Sequence, residues 1–106
     1  MPKLTTEFIE KMIRNSGRIY FLGSNGNLVT RIYSPENVKI NEYTHFFQIE
    51  FPNSENLLTI NKDVSRFVYG SSLHPDDTKY GIVKDSTIGC IFMDNGEEIL
   101  FDKDCF

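Results

Sequence analysis

The sequence predicts an α+β fold, in which an N-terminal helix packs on an antiparallel sheet of about five to seven strands. A partial barrel is one form that this sheet could take. Two Asn-Gly pairs, at 25–26 and 95–96, each lie between runs of strand-forming residues. Both residue types tolerate a positive φ, so each pair predicts a hairpin with a two-residue turn. With 106 residues, the chain has the size of one domain, spanning 1–106.

The helix is predicted over residues 5–15, before the first hairpin. Thr5 is the expected N-cap, and Gly17 is the expected residue at which the helix stops. Leu4 and Ile9 are spaced as a hydrophobic staple. The apolar stripe at helical spacing consists of Leu4, Phe8, Ile9, Met12 and Ile13.

The first hairpin takes its predicted register from a turn at Asn25-Gly26. In that register Phe21 lies opposite Thr30, and Leu22 lies opposite Val29. The core face is predicted to hold Ile19, Phe21, Leu28 and Ile32. The other face is predicted to hold Arg18, Tyr20, Leu22, Val29, Arg31 and Tyr33.

The middle of the chain contains an alternating segment over 44–51, which predicts a strand. One of its faces holds His45, Phe47, Ile49 and Phe51, and Phe46 lies on the other face. The remaining segments are predicted as a returning strand at 57–60, a helical turn or strand at 64–68, a loop at 70–77 and a short strand at 80–83.

The second hairpin is predicted to place Met93 opposite Glu98 and Ile91 opposite Leu100. Both of its faces are largely apolar. Such a hairpin belongs in the middle of a sheet that is covered on both sides, or at an interface such as that of a homodimer.

Composition and charge exclude several classes of function. The net charge of −4 argues against direct binding of duplex nucleic acid, whose phosphates favour a basic patch. No apolar run approaches the roughly 20 residues of a membrane span, and the N-terminus lacks the apolar region of a signal peptide. We therefore expect a cytoplasmic protein. The two cysteines, Cys90 and Cys105, are expected to be thiols rather than a disulfide.

The sequence offers little catalytic chemistry. It has neither a glycine-rich phosphate loop nor a Gly-x-Ser-x-Gly elbow, so we expect no enzyme, no cofactor and no metal. His74 with Asp76 and Asp77 could hold a divalent ion or form a general base with its orienting group. Ordinary turn and capping chemistry explains the same loop better. His45 is expected to be a core or strand-end residue.

Partner binding has two candidate surfaces. The first is the Tyr–Arg face, made of Arg18, Tyr20, Arg31 and Tyr33, which are residue types enriched in interaction hot spots. Such side chains also stack single-stranded bases. The alternative is that this face packs under the helix or a loop, with only the Arg heads reaching water.

The second candidate surface is the turn of the second hairpin, with Phe46 as a further candidate contact outside it. Asp94 and Glu97 flank the predicted two-residue turn, so their like charges should oppose each other. Asp94 and Glu97 could bind a cation from outside, either a metal ion or a Lys or Arg of a partner, and Glu98 is a further candidate for partner contact. The alternative is that both side chains simply point into water.

These observations predict a non-catalytic protein-binding module that acts by covering a surface. The chain lacks alanine, which indicates an AT-rich coding sequence and so a low-GC bacterium or its phages. The favoured hypothesis is a small phage or mobile-element inhibitor of a host or defence protein, for example of CRISPR type. Its partner would be a nucleic-acid enzyme with a basic channel.

Two alternative functions stay open at this point. One is a homo-oligomer that binds a small ligand or nucleotide between subunits, with the apolar second hairpin at the interface. The other is a small enzyme that uses His74 and Asp76 or Asp77.

Overall fold

The computed structural model describes residues 3–25, 27–33, 38–51, 57–74, 76 and 86–103. These ranges contain one α-helix and eight strands in two antiparallel sheets, so the α+β class is confirmed. The division into two sheets differs from the single sheet of five to seven strands that was predicted. In chain order the elements are α1 (Thr6–Asn15), β1 (Arg18–Leu22), β2 (Leu28–Tyr33), β3 (Lys39–Glu42), β4 (Phe46–Glu50), β5 (Leu57–Asn61), β6 (Arg66–Tyr69), a 3₁₀ turn (Gly70–Ser72), β7 (Thr87–Phe92) and β8 (Glu98–Asp102).

Helix α1 begins as the sequence predicts. The Phe8 backbone N–H donates to the Thr5 hydroxyl at 3.2 Å, which satisfies one of the amides left open at a helix N-terminus. The helix ends at Asn15, as predicted, with Ser16 as its C-cap and Gly17 in the position that follows. Ser16 takes an extended conformation, and its hydroxyl donates to the Met12 carbonyl at 2.5 Å.

The larger sheet has the strand order β2-β1-β8-β7-β6. The last strand of the described chain, β8, therefore lies in the middle, between β1 and β7. All five residues of β8 are buried. This position agrees with the apolar character of both faces of the second hairpin.

The smaller sheet has the order β3-β4-β5. Phe47 and Ile49 of β4 are buried, as their alternation predicts, whereas His45 is exposed just before the strand. Strand β3 was not predicted, because Lys39–Glu42 contains only one large apolar residue. The segment at 64–68 contributes to β6, and the predicted strand at 80–83 lies outside the described residues.

The first hairpin has the predicted register through most of its length. Phe21 lies opposite Thr30, but Leu22 lies opposite Leu28 because the ladder shifts between Phe21 and Leu22. The Gly23 amide donates to the Asn27 carbonyl at 2.8 Å, so the turn has three residues instead of two. The bulge cancels the shift that the extra turn residue introduces, so the predicted pairing is kept from Phe21 back to Arg18.

The second hairpin has no such compensation beside its turn, and its predicted register is wrong by one residue. Ile91 lies opposite Ile99 rather than Leu100. The Met93 amide donates to the Glu97 carbonyl at 2.8 Å, which again leaves three residues in the turn. Gly96 has a φ of 90°, the left-handed conformation that ends three-residue hairpin turns.

The larger sheet has an apolar core on each side. Its inner face packs with α1 and the smaller sheet, and the ring centroids of Phe8 and Phe67 are 4.8 Å apart. The inner face includes Ile19, Phe67, Ile91, Ile99 and Phe101. The outer face has a separate core that includes Tyr20, Leu22, Leu73, Cys90 and Leu100.

A polar cluster links α1 to the smaller sheet. The Thr6 hydroxyl donates to Glu42 Oε1 at 2.5 Å, and Lys62 Nζ donates to Glu42 Oε2 at 2.7 Å. The hydrogen bond from Lys62, followed by that from Thr6, holds the pKa of the Glu42 carboxyl below its ordinary value of 4.5.

Because this pKa is lowered in the folded state, Glu42 should stabilise the fold above the unfolded-state pKa. That contribution should disappear as the pH falls through the lowered value. We expect Glu42→Gln to have a flatter dependence of melting temperature on pH in this acidic range. Parallel pH profiles for the two proteins, measured by circular dichroism, would contradict this account.

Candidate functional site

Tyr20, the centre of the predicted Tyr–Arg face, is only 5% exposed. Arg18 is half-buried beside it and donates from Nη1 to the Tyr20 hydroxyl at 2.7 Å. This contact lies along β1, not across strands. The structure describes the backbones of Arg31 and Tyr33, opposite Tyr20 and Arg18, but not their side chains.

The burial of Tyr20 has a clear cause in the packing of the outer face. Leu73, which follows the 3₁₀ turn, is buried in the same cluster as Tyr20, Leu22 and Leu100. Tyr20 therefore fits the alternative in which this face packs under a loop, and does not fit the hypothesis of an exposed hot spot.

The carboxylates of the second hairpin are also arranged differently from the expectation. Glu98 is only 4% exposed and lies between Leu22 and Phe92 in the sheet, so it does not form part of an exposed acidic turn. Asp94 and Glu97 are exposed. They are not directly opposed, because Met93 is the residue opposite Glu97 in the three-residue turn.

Glu97 has a partner within its own turn. Its carboxylate accepts a hydrogen bond from the Asn95 side-chain amide, and its backbone N–H donates to Asn95 Oδ1 at 3.0 Å. The predicted repulsion between Asp94 and Glu97 therefore does not constrain this turn.

The other candidate residues lie elsewhere. Phe46 is half-buried, and its ring stacks on Tyr43 at a centroid distance of 4.9 Å. His74 and Asp76 are exposed, whereas Asp77 lies outside the described residues. Within the described ranges, no group of three or more His, Cys, Asp or Glu side chains is placed to hold a metal ion.

A cleft of about 140 Å³ opens where the turn ends of both hairpins meet β5. We call it the acidic cleft, because its described lining includes Glu97 and Glu98 but no Lys, Arg or His. The remainder of the lining is mostly apolar. The lining residues are Phe21, Leu22, Val29, Leu58, Thr59, Met93, Glu97, Glu98 and Ile99.

The rim of the acidic cleft depends on the two departures from the predicted hairpins. The bulge in the first hairpin leaves Val29 67% exposed instead of paired with Leu22. The three-residue turn of the second hairpin brings Glu97 opposite Met93, which packs partly on the inner core. Sequence reasoning missed Val29, Leu58 and Met93, because no local pattern indicates a bulge or the approach of β5.

The size and charge of the acidic cleft limit what it can hold. Small-molecule sites usually enclose about 300–1,000 Å³, so 140 Å³ suits a single side chain better than a whole ligand. Apolar walls with carboxylate groups suit the aliphatic stem and cationic head of Lys or Arg.

Comparisons with known proteins give no information on function, so a functional proposal has to start from the geometry of the cleft. No protein-family model matches the chain, and no curated protein or solved structure is significantly similar to it. No helix in the described ranges has the length and apolarity needed to cross a membrane.

A two-residue turn would place Leu22 opposite Val29, whereas the bulge at the rim separates them. We therefore expect substitutions of these two residues to differ in their effect on stability. Leu22→Ala should lower the free energy of unfolding by about 2–5 kcal/mol, because Leu22 is fully buried. Val29→Ala should change it by about 0.5 kcal/mol or less, since Val29 is exposed. Urea unfolding measures both, and equal losses would show that Val29 is packed against the sheet.

Proposed function

We propose that this chain is a non-catalytic protein-binding module that receives a basic side chain of its partner in the acidic cleft. The observation that supports this most directly is the lining of the cleft, which combines apolar walls with Glu97 and Glu98 and has no cation among its described residues. The net charge of −4 favours the approach of a basic surface over that of an acidic one.

The apolar walls should supply more of the affinity than the ion pair does. An exposed ion pair contributes only about 0–1 kcal/mol, and the Glu97 carboxylate is exposed. Phe21, Leu58 and Met93 provide apolar surface for the aliphatic stem of the incoming side chain. The exposed Glu97 carboxylate then selects Lys or Arg over an apolar side chain of similar length.

The cleft can serve only as the anchor of a larger interface. Stable protein interfaces bury about 1,200–2,000 Å² in total, far more surface than one side chain covers. An exposed apolar side chain, that of Val29, lies on the rim of the cleft. Asp94 adds an exposed carboxylate beside the rim.

The mode of action that we propose is inhibition by surface occlusion in the cytoplasm. A partner with an exposed Lys or Arg at a functional surface, such as the channel of a nucleic-acid enzyme, would lose access to its own substrate when the cleft holds that residue. A phage or mobile-element origin and a host or defence target are part of this proposal.

A matched pair of charge reversals tests the proposal in an affinity capture from a low-GC bacterial lysate. We expect the wild-type chain to retain a saturable partner and Glu97→Lys to bind that partner about tenfold more weakly or worse. The control is Glu10→Lys, which makes the same charge change at an exposed position of α1. It should retain the partner.

Two results would contradict the proposed function. One is the absence of any saturable partner for the wild-type chain. The other is a partner that Glu97→Lys and Glu10→Lys retain equally well, because the contact would then lie away from the acidic cleft.

A further inference from the structure

A groove of about 440 Å³ separates the C-terminal half of α1 from the end of β6. Unlike the acidic cleft, it falls within the range of roughly 300–1,000 Å³ that is usual for small-molecule sites. We call it the helix groove. Its lining residues are Lys11, Met12, Asn15, Tyr69, Gly70, Ser71, Thr87 and Ile88.

Two glycines allow close packing beside the helix groove. A Cβ atom on Gly70 would lie 2.0 Å from the Thr87 carbonyl oxygen, so only glycine allows the 3₁₀ turn to sit directly on β7. A Cβ atom on Gly89 would lie 2.4 Å from the sulfur of Met12. Gly70 thus lets the 3₁₀ turn lie directly against the backbone of β7, and Gly89 leaves room for the Met12 side chain of α1.

The groove presents an aromatic ring whose position is held by packing. Tyr69 is 39% exposed, and its ring packs in an edge-type contact with the Phe8 ring at a centroid distance of 5.1 Å. The Lys11 ammonium nitrogen lies 5.0 Å from the centroid of the Tyr69 ring. A planar ligand can therefore stack on a surface that is already in place.

The charge of the helix groove is opposite to that of the acidic cleft. Its described lining includes one cation, Lys11, and no carboxylate. Ser71 contributes an exposed hydroxyl group that can donate a hydrogen bond. In a chain of net charge −4, such a lining favours an anionic ligand.

Side-chain donors offset part of the negative potential at the nearby end of α1. Carbonyl groups in the last turn of a helix normally create negative potential. Here the Asn15 side-chain amide donates to the Lys11 carbonyl at 2.7 Å, and the Ser16 hydroxyl donates to the Met12 carbonyl at 2.5 Å. Both carbonyl oxygens thus have a donor from within the chain.

We propose that the helix groove binds a small ligand that combines a planar aromatic ring with an anionic group, as a nucleoside monophosphate does. The ring stacks on Tyr69, and the Lys11 ammonium exchanges its contact with the Tyr69 ring for the anionic group. Ser71 donates a hydrogen bond to the same group. This binding is independent of the acidic cleft and of any protein partner.

The test is a titration of the full chain followed by ¹⁵N–¹H NMR. The probes are adenosine 5′-monophosphate and 4-hydroxybenzoate, a large and a small aromatic anion, with adenosine and inorganic phosphate as the separate halves of the first probe. We expect at least one aromatic anion to cause saturable shifts at the amides of Tyr69, Ser71 and Thr87. Each half alone should bind about tenfold more weakly.

Two variants connect the shifts to the groove. Lys11→Glu reverses the charge of an exposed residue, and Tyr69→Leu keeps an apolar side chain but removes the ring. Each should weaken binding by about tenfold. Lys39→Glu makes the same charge change in β3 and should leave the affinity unchanged, and dispersed spectra verify that each variant is folded.

Three results would overturn the proposal. They are the absence of saturable shifts with both aromatic anions, equal affinity for inorganic phosphate alone, and unchanged affinity in Lys11→Glu. None of these results bears on the acidic cleft, so the two proposals can fail separately.

Discussion

The burial of β8 on both of its faces is the constraint on which the rest of the structure depends. Its side chains alternate between the inner core, with Ile99 and Phe101, and the outer core, with Leu100. Both of its edges are paired, to β1 on one side and to β7 on the other. Neither core can form without this strand. The pairing of β8 with β1 joins segments that are far apart in sequence, a feature of slowly folding sheet proteins.

The central position of β8 also determines where binding surfaces can form. Because both faces of the larger sheet carry cores, the cavities described above lie at the ends of the β7–β8 hairpin. The acidic cleft lies at the turn end, beside Glu97, and the helix groove lies at the other end, beside Thr87. Their linings carry opposite charges, so one end suits a cation and the other an anion. The two cavities that we propose as binding sites thus lie at opposite ends of the same hairpin.

Local patterns predicted the elements that depend on local chemistry. The N-cap at Thr5, the apolar stripe of α1 and the alternation of Phe47 and Ile49 were all correct, because capping and amphipathic periodicity act over a few residues. The Asn-Gly pairs located both hairpins, but two-residue and three-residue turns share this dipeptide. One extra turn residue therefore shifted the second register.

The candidate sites were less predictable, because they depend on contacts between distant segments. Tyr20 has the residue type of a hot spot, yet Leu73 and the outer core bury it. The lining of the acidic cleft includes Leu58, from β5 of the smaller sheet, and Met93, which follows β7 of the larger sheet. In the helix groove, Lys11 comes from α1 and Tyr69 from β6, and the two side chains meet only through the packing of these elements. No spacing within one element reveals such pairs.

The most direct test of the central claim is the set of cross-strand nuclear Overhauser effects made by β8. The structure predicts backbone contacts from Ile99 to Ile91 on one side and from Phe101 to Ile19 on the other. It also predicts that Leu100 lies opposite Cys90. Backbone contacts between Leu100 and Ile91 would instead place β8 one residue out of this register, move its side chains to the opposite cores and contradict the arrangement of both proposed binding sites.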